Sequence, residues 1–206
     1  MRIGIIGAGY IGRSVAGAAV KVGHEVMVSN SRSPETLFSL TGTIGCKAGT
    51  TAEAAAFGEM VLVAIPLHAY QSVPISPLEG KIVLDASNYY PQRDGHIAEL
   101  DEEAVTVSGL LARHLPKSRV VKAFNAIAAS DIEKDGLPTG SPQRRALPIA
   151  GDDPEAKQLV ATFFDQIGYD VVDAGPLGEE WRFQKDTPAY CVPFNRQDMQ
   201  AALAAA

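Results

Sequence analysis

Arg2-Ile3-Gly4-Ile5-Ile6-Gly7-Ala8-Gly9-Tyr10-Ile11-Gly12-Arg13 opens the chain, and its reading decides the fold. A short apolar run, Arg2 to Ile6, reads as a buried strand and runs directly into a Gly-x-Gly-x-x-Gly turn. Apolar residues at helical spacing follow from Tyr10 to Val22, closed by Gly23, and Glu25 to Val28 reads as a second strand. Strand, glycine turn, helix and strand make one βαβ unit, the context in which this glycine pattern carries meaning. There Gly7 makes the tight turn, Gly9 lets a pyrophosphate approach the backbone, and Gly12 allows close packing of helix on strand. The helix start adds free N–H groups and a positive dipole end. The alternative is that these glycines only turn the chain.

The end of the second strand sets the choice of dinucleotide. A site for NAD places a carboxylate there, to accept hydrogen bonds from the adenosine ribose. This chain reads Ser29-Asn30-Ser31-Arg32 instead. Arg32 offers a planar fork to a 2′-phosphate, with Ser31 and Asn30 as further donors, so NADP(H) is expected. A second reading stays open: Ser31 or Ser33 caps the next helix and Arg32 is merely solvated.

Outward from this unit, apolar runs alternate with helical patterns, which predicts an α/β, Rossmann-type, doubly wound and mainly parallel sheet. Helices are expected over Ser33–Leu40, Thr51–Phe57 and Pro154–Ile167, with one or two more over Gly95–Leu115. Strands are expected over Ile44–Lys47, Met60–Ile65, Lys81–Asp85, Arg119–Phe124, Ala146–Ala150 and Asp170–Val172. Glu133–Arg145, rich in Gly and Pro, reads as a loop or mobile flap, and the Ala-rich end after Pro193 as a helix. The expected division is 1–145 for the dinucleotide domain and 146–206 for a small C-terminal extension.

Composition narrows the class. A net charge of −6 argues against a broad nucleic-acid surface. Two cysteines, Cys46 and Cys191, fit neither a disulfide framework nor a metal-ligand spacing, and His24, His68, His96 and His114 are scattered, so no metal is expected. No apolar stretch is long enough for a membrane span and no signal-peptide pattern opens the chain, so the expectation is a cytoplasmic protein acting on a small redox substrate.

Several later stretches are more specific than the glycine turn: Val28-Ser29-Asn30-Ser31-Arg32, Lys122-Ala123-Phe124-Asn125-Ala126-Ile127, Ile149-Ala150-Gly151-Asp152-Asp153 and Asp173-Ala174-Gly175-Pro176-Leu177. Together with the opening, they resemble the NADP-dependent coenzyme F420 oxidoreductase family, a pattern shared with the cytosolic domain of the six-transmembrane metalloreductases. The resemblance implies a Rossmann domain, a C-terminal extension closing over the nicotinamide, and a homodimer. By position it implies Gly9, Tyr10, Ile11 and Gly12 at the pyrophosphate, Ser31 and Arg32 at the 2′-phosphate, Ile65, Pro66 and Leu67 along the cleft, and the Ala123–Ile127 loop beside the nicotinamide. Two positions depart from the family. Tyr10 stands where a smaller residue is usual and is expected to cover part of the pyrophosphate. Asn125 stands where deazaflavin reductases carry His, and Glu179-Glu180-Trp181-Arg182 differs too, which leaves the second substrate open.

Hydride transfer between planar rings needs position and desolvation rather than a nucleophile, so no catalytic triad is expected. Asn125 is the candidate for orienting the nicotinamide carboxamide or the acceptor, with Phe124 and Ile127 as apolar walls; equally, Asn125 caps a turn. Ser87 and Asn88, after a strand, reach the cofactor ribose or the substrate, or form an Asx turn. Lys122 is a candidate phosphate contact or a strand flank, and Trp181 a ring platform or a core or dimer anchor. The expected activity is hydride transfer between NADPH and a planar acceptor, an F420-like deazaflavin or a flavin. Two other readings remain: an NADP(H)-binding sensor without turnover, and a reductase of a small carbonyl or imine, which needs a proton donor that no residue in the sequence is strongly placed to provide.

Overall fold

Runs such as Met60-Val61-Leu62-Val63 and Ile82-Val83-Leu84, apolar on both faces, are stable only where both faces are covered, and they find that cover in a single eight-stranded sheet. In the computed structural model, which describes residues 1–206, the chain runs β1 (Arg2–Ile6), α1 (Tyr10–Lys21), β2 (Glu25–Ser29), a 3-10 turn (Pro34–Leu37), α2 (Phe38–Ile44), β3 (Lys47–Ala48), α3 (Thr51–Phe57) and β4 (Met60–Val63). Two 3-10 turns (Leu67–Ser72 and Ser76–Leu78) lead to β5 (Ile82–Asp85), then α4 (Pro91–Asp94), α5 (Ala98–Asp101), α6 (Val107–His114) and β6 (Arg119–Lys122). After α7 (Ala129–Ile132) come β7 (Ala146–Gly151), α8 (Pro154–Gln166), β8 (Asp170–Asp173), a 3-10 turn (Leu177–Phe183) and α9 (Arg196–Ala204).

The strand order is β3-β2-β1-β4-β5-β6-β7-β8. All neighbours are parallel except β6 and β7, where Val121 faces Gly151 and Lys122 faces Ala150 in antiparallel register. The chain steps outward through β2 and β3, then returns to β4 on the far side of β1, so the order reverses between β1 and β4. A doubly wound sheet opens its ligand crevice at the carboxyl ends of the strands at that reversal.

On one face, Ile3, Ile5, Val26 and Val28 pack under Val15, Ala16 and Ala19 of α1, and the same cluster continues to Phe124, Phe163 and Phe164. The rings of Phe124 and Phe164 stack with centroids 4.4 Å apart. On the other face Ile6, Val61, Val63 and Val83 meet Leu111 and Leu115. A third cluster, with Ala146, Phe183, Met199 and Leu203, seats the last 3-10 turn and α9 on β7. The chain beyond residue 145 therefore extends the same sheet. No helix is long and apolar enough to cross a membrane.

Three segments differ from the sequence expectation. Ser33–Leu40 is not one helix: the 3-10 turn carries its first half and α2 runs on to Ile44. Ile44 is therefore helical rather than strand, because Gly45 adopts φ 81° and closes α2, its N–H donating to Thr41 O. Glu133–Arg145 is irregular, but it is pinned rather than a free flap. Buried Arg144 donates to Leu137 O (3.0 Å), Asp165 Oδ1 (2.7 Å) and Asp170 Oδ1 (2.9 Å), and buried Arg145 donates to Asp135 Oδ2 (2.6 Å).

Candidate dinucleotide cleft

The turn from β1 into α1 requires glycine for different reasons at each position. Gly7 sits at φ 110°, and a Cβ there would lie 2.3 Å from Ala64 O. A Cβ on Gly12 would lie 1.9 Å from Gly7 O, so only glycine lets α1 pack this closely on the turn. Gly9 is the opposite case: a Cβ there would meet nothing within 4 Å. No contact in the protein accounts for glycine at this position; the open space in front of its backbone does. Gly9 is the N-cap of α1, no side chain caps the helix, and its first turn carries no acidic residue. The leading N–H groups are left for an anion.

This turn forms one wall of a cleft of about 810 Å³, whose other walls come from the end of β2, the 3-10 turn with α2, and the segment after β4. The lining includes two arginines, Arg13 and Arg32, and no Asp or Glu. In a chain of net charge −6 this is a local reversal of sign. Arg13 is anchored by its Nε, which donates to Ala8 O at 3.0 Å. Ser31 and Arg32 are exposed, and the Arg32 side chain has no ion pair or hydrogen bond within the protein. Asn30 also lines the cleft, but its amide shapes the loop: Oδ1 accepts the Arg32 N–H (3.0 Å) and Nδ2 donates to Thr36 Oγ1 (2.8 Å). It thus holds the Arg32 backbone in place, with one of its two amide N–H groups already engaged. Ser33, at the cap position of the following turn, makes no capping hydrogen bond with its side chain.

Gly7, Gly9, Asn30, Ser31, Arg32, Ile65 and Pro66 are thus brought together around one cleft. Other candidates lie elsewhere. Leu67 is buried beneath the wall, and the Ile11 side chain packs against the core; Ile11 and the buried Gly12 face the cleft only through their backbone N–H groups, which belong to the first turn of α1. Tyr10 is 82% exposed and lies outside the lining. Phe124 and Ile127 are corrected more strongly. Their side chains belong to the core cluster under α8, 1% and 3% exposed, and cannot wall a substrate. Phe124 takes φ 63°, which turns the chain at the end of β6 while its ring points into the protein.

At the ends of β5 and β6 the structure gathers residues that sequence spacing kept apart. Asn88 Nδ2 donates to the backbone O of Asn125 (3.0 Å), and Asn125 Nδ2 donates to Phe183 O (3.0 Å). That second bond fixes the amide orientation and leaves buried Asn125 Oδ1 without a donor. Ser87 is buried; its N–H donates to Asp85 Oδ1 (2.9 Å) and its O accepts from Lys122 Nζ (2.6 Å). Lys122 is therefore no phosphate contact. It is fully buried, 3.1 Å from Glu180 Oε2 at an ion-pair distance without hydrogen-bond alignment, and 3.8 Å from Asp85 Oδ2. Ser108 completes the group, its Oγ donating to Asp85 Oδ2 and its N–H to Glu180 Oε1, both at 2.6 Å. Glu180 comes from the last 3-10 turn, so this buried group ties the C-terminal segment to the loop that carries Asn88. Trp181, half-exposed, lines a separate hollow of about 550 Å³ with Tyr89 and Val107.

Sequence reading missed Arg13, which one position after the last glycine looks like any helix-surface cation. It also missed Tyr90 and Tyr190, whose hydroxyls lie 2.6 Å apart across a hundred residues of chain. Nothing in local spacing signals that pairing. His68 lines the cleft and its Nδ1 lies 3.1 Å from Asp94 Oδ1, whose carboxylate also accepts the Tyr90 N–H (3.0 Å).

Comparison with known proteins agrees with this geometry. Residues 2–89 match the family described as NADP oxidoreductase, coenzyme F420-dependent. The chain is 30% identical over 181 residues to the metalloreductase STEAP3 of Rattus norvegicus, covering 85% of this chain and 34% of that one. The matched stretches cover 52% of one curated relative and 34% of the other. Among solved structures, the hypothetical protein SMa0349 of Sinorhizobium meliloti superposes with a TM-score of 0.81 at 27% identity, covering 95% of both chains. A candidate F420-dependent NADP-reductase from Arthrobacter sp. FB24 superposes with a TM-score of 0.72 at 27% identity, covering 85% of both.

Proposed function

We propose that this chain, whose residues 2–89 match the coenzyme F420-dependent NADP oxidoreductase family, is an NADP(H)-dependent oxidoreductase passing a hydride between NADPH and a planar acceptor, an F420-like deazaflavin or a flavin. The observation that carries this reading is the cleft wall: two arginines, no carboxylate, and an uncapped helix start behind a glycine with open space in front of it. A dinucleotide with three phosphates fits such a donor set, and the orphaned Asn125 Oδ1 fits the amide N–H of a nicotinamide.

The chain's own residues then divide the work. Gly9 and the leading N–H groups of α1 receive the pyrophosphate, with Arg13 beside them. Arg32 takes the 2′-phosphate through its planar fork, held by Asn30. Ile65 and Pro66 exclude water along the wall, and Asn125 orients the carboxamide. When bound, NADPH supplies the hydride; the protein supplies position and desolvation. A homodimer in the cytoplasm belongs to the same reading, and gel filtration tests the dimer.

The decisive experiment follows NADPH absorbance with coenzyme F420, FMN, FAD, quinones and ferric chelates as acceptors. Turnover with a deazaflavin or flavin supports the reading. Tight NADPH binding with no turnover on any acceptor overturns it in favour of a sensor.

A further inference from the structure

Hydride transfer to a C=N or C=O group leaves a heteroatom that must gain a proton, and the sequence offers no obvious donor. The structure does. Tyr190, from the segment before α9, and Tyr90, from the loop after β5, place their hydroxyls 2.6 Å apart. Asn88 Nδ2 reaches the same Tyr190 oxygen at 3.5 Å while donating to Asn125 O. When Tyr90 and Asn88 both donate to Tyr190, the Tyr190 proton has no strong acceptor in the protein; the neighbouring Cys191 thiol is a weak one. The pair stands at the carboxyl ends of β5 and β6, beside the unpartnered Asn125 Oδ1, on the sheet edge where the dinucleotide cleft opens. Asp94, which accepts the backbone N–H of Tyr90 and lies 3.1 Å from Nδ1 of the cleft-lining His68, fixes the Tyr90 loop against that cleft.

We propose that Tyr190, backed by Tyr90 and held by Asn88, is the acid that protonates the acceptor, whose reducible group is a C=N or C=O. The proposal rests on the oxidoreductase reading above. In balance, the acceptor gains a hydride drawn from a reduced nicotinamide, at the carbon of a simple C=N or C=O or at the ring atom conjugated to it in a deazaflavin or flavin, and the displaced π pair moves to nitrogen or oxygen. That atom takes the Tyr190 proton, the Tyr90 proton crosses to the Tyr190 phenolate, and water reprotonates Tyr90. The groups facing the pair are Arg93, whose guanidinium carbon lies 4.8 Å from the Tyr90 ring centre, the Asp94 carboxylate, His68 behind it, Lys185 and Cys191. Burial and the Tyr90 hydroxyl push the Tyr190 phenol above its ordinary range, so it keeps its proton until a more basic atom is formed beside it.

The acceptor chemistry is shared by conjugated ring systems and by small carbonyl compounds, and the assay separates them. Wild type and Tyr190→Phe are compared with coenzyme F420 and FMN in one arm, and 1-pyrroline and a small aldehyde in the other. The arm that wild type turns over identifies the source. Tyr190→Phe is expected to lower kcat by about 100-fold or more, with NADPH affinity and melting temperature unchanged. Tyr90→Phe is expected to fall less, because water replaces its role. An activity-independent readout is binding of 2-pyrrolidinone, an unreactive carbonyl compound, to protein with and without NADP. Saturable binding that becomes roughly 3- to 10-fold weaker in Tyr190→Phe supports the assignment. Unchanged kcat, a parallel loss of NADPH affinity, or no saturable lactam binding by wild type overturns it. Failure of NADPH itself to bind overturns the oxidoreductase reading instead, and the lactam titration of free protein then judges Tyr190 alone.

Discussion

Gly9→Ala and Gly12→Ala add the same methyl group three residues apart, and the structure predicts opposite consequences. At Gly12 the new carbon would lie 1.9 Å from Gly7 O, a backbone atom that cannot swing aside, so α1 must move off the turn. Overpacking of this kind costs roughly 1–3 kcal/mol, or about 2–12 °C of melting temperature for a chain of this size. At Gly9 the new carbon meets no protein atom, and the backbone there, φ −73° and ψ −169°, suits alanine. The fold loses only the difference between glycine and alanine as an N-cap, roughly 0.5–1 kcal/mol. The methyl group instead occupies the space in front of the free N–H groups of α1. Losing one charge-assisted hydrogen bond to a phosphate is worth about 1.5–3 kcal/mol, which weakens NADPH roughly 10- to 150-fold. Thermal melts with and without NADPH, together with fluorescence titration, read both quantities on both variants. Gly9→Ala that binds NADPH like wild type, or that melts as low as Gly12→Ala, refutes the reasoning.

Arg32→Asp places a carboxylate where the free guanidinium stands, and is expected to weaken NADPH about 10- to 150-fold while sparing NADH; equal loss for both cofactors in parallel titrations contradicts the 2′-phosphate assignment. Lys122→Met leaves Asp85 and Glu180 buried without a cation, at a cost of about 3–5 kcal/mol, seen as a fall of roughly 6–20 °C in melting temperature. Acid stability has a defined contributor in Asp165, whose carboxyl is held below the usual range by hydrogen bonds from Arg144 and then Thr139. Its folded pKa is depressed, so the stabilisation is present above the ordinary carboxylate pKa of about 4 and is lost as pH falls through the folded value. Melting curves of wild type and Asp165→Asn from neutral pH downward should converge below pH of about 4; a constant gap at all pH values argues against the linkage.

The glycine turn was legible because each of its requirements is local. A tight turn, a close helix and an open approach all act within a dozen residues, and the chain from Arg2 to Ser29 folds as its periodicity predicts. The position of Arg32 on the cleft, three residues past β2, was legible for the same reason. The end of β6 was not: Phe124 looks like a wall in sequence, yet its positive φ turns the ring under α8, a choice made by Phe163 and Phe164 some forty residues later. Lys122 gave no hint of burial because its partners Asp85 and Glu180 come from two distant segments. The pinned loop 133–145 shows the same limit, since Arg144 reads as solvated until Asp165 and Asp170 close over it. Tyr90 and Tyr190 meet only once β5, β6 and the C-terminal segment are assembled.

The central claim is that this cleft takes the phosphorylated dinucleotide, and competitive titration of the wild-type protein with NADPH and NADH tests it most directly. The account predicts NADPH binding at least about tenfold tighter, the worth of one arginine–phosphate contact. Equal affinities, or a preference for NADH, would contradict it.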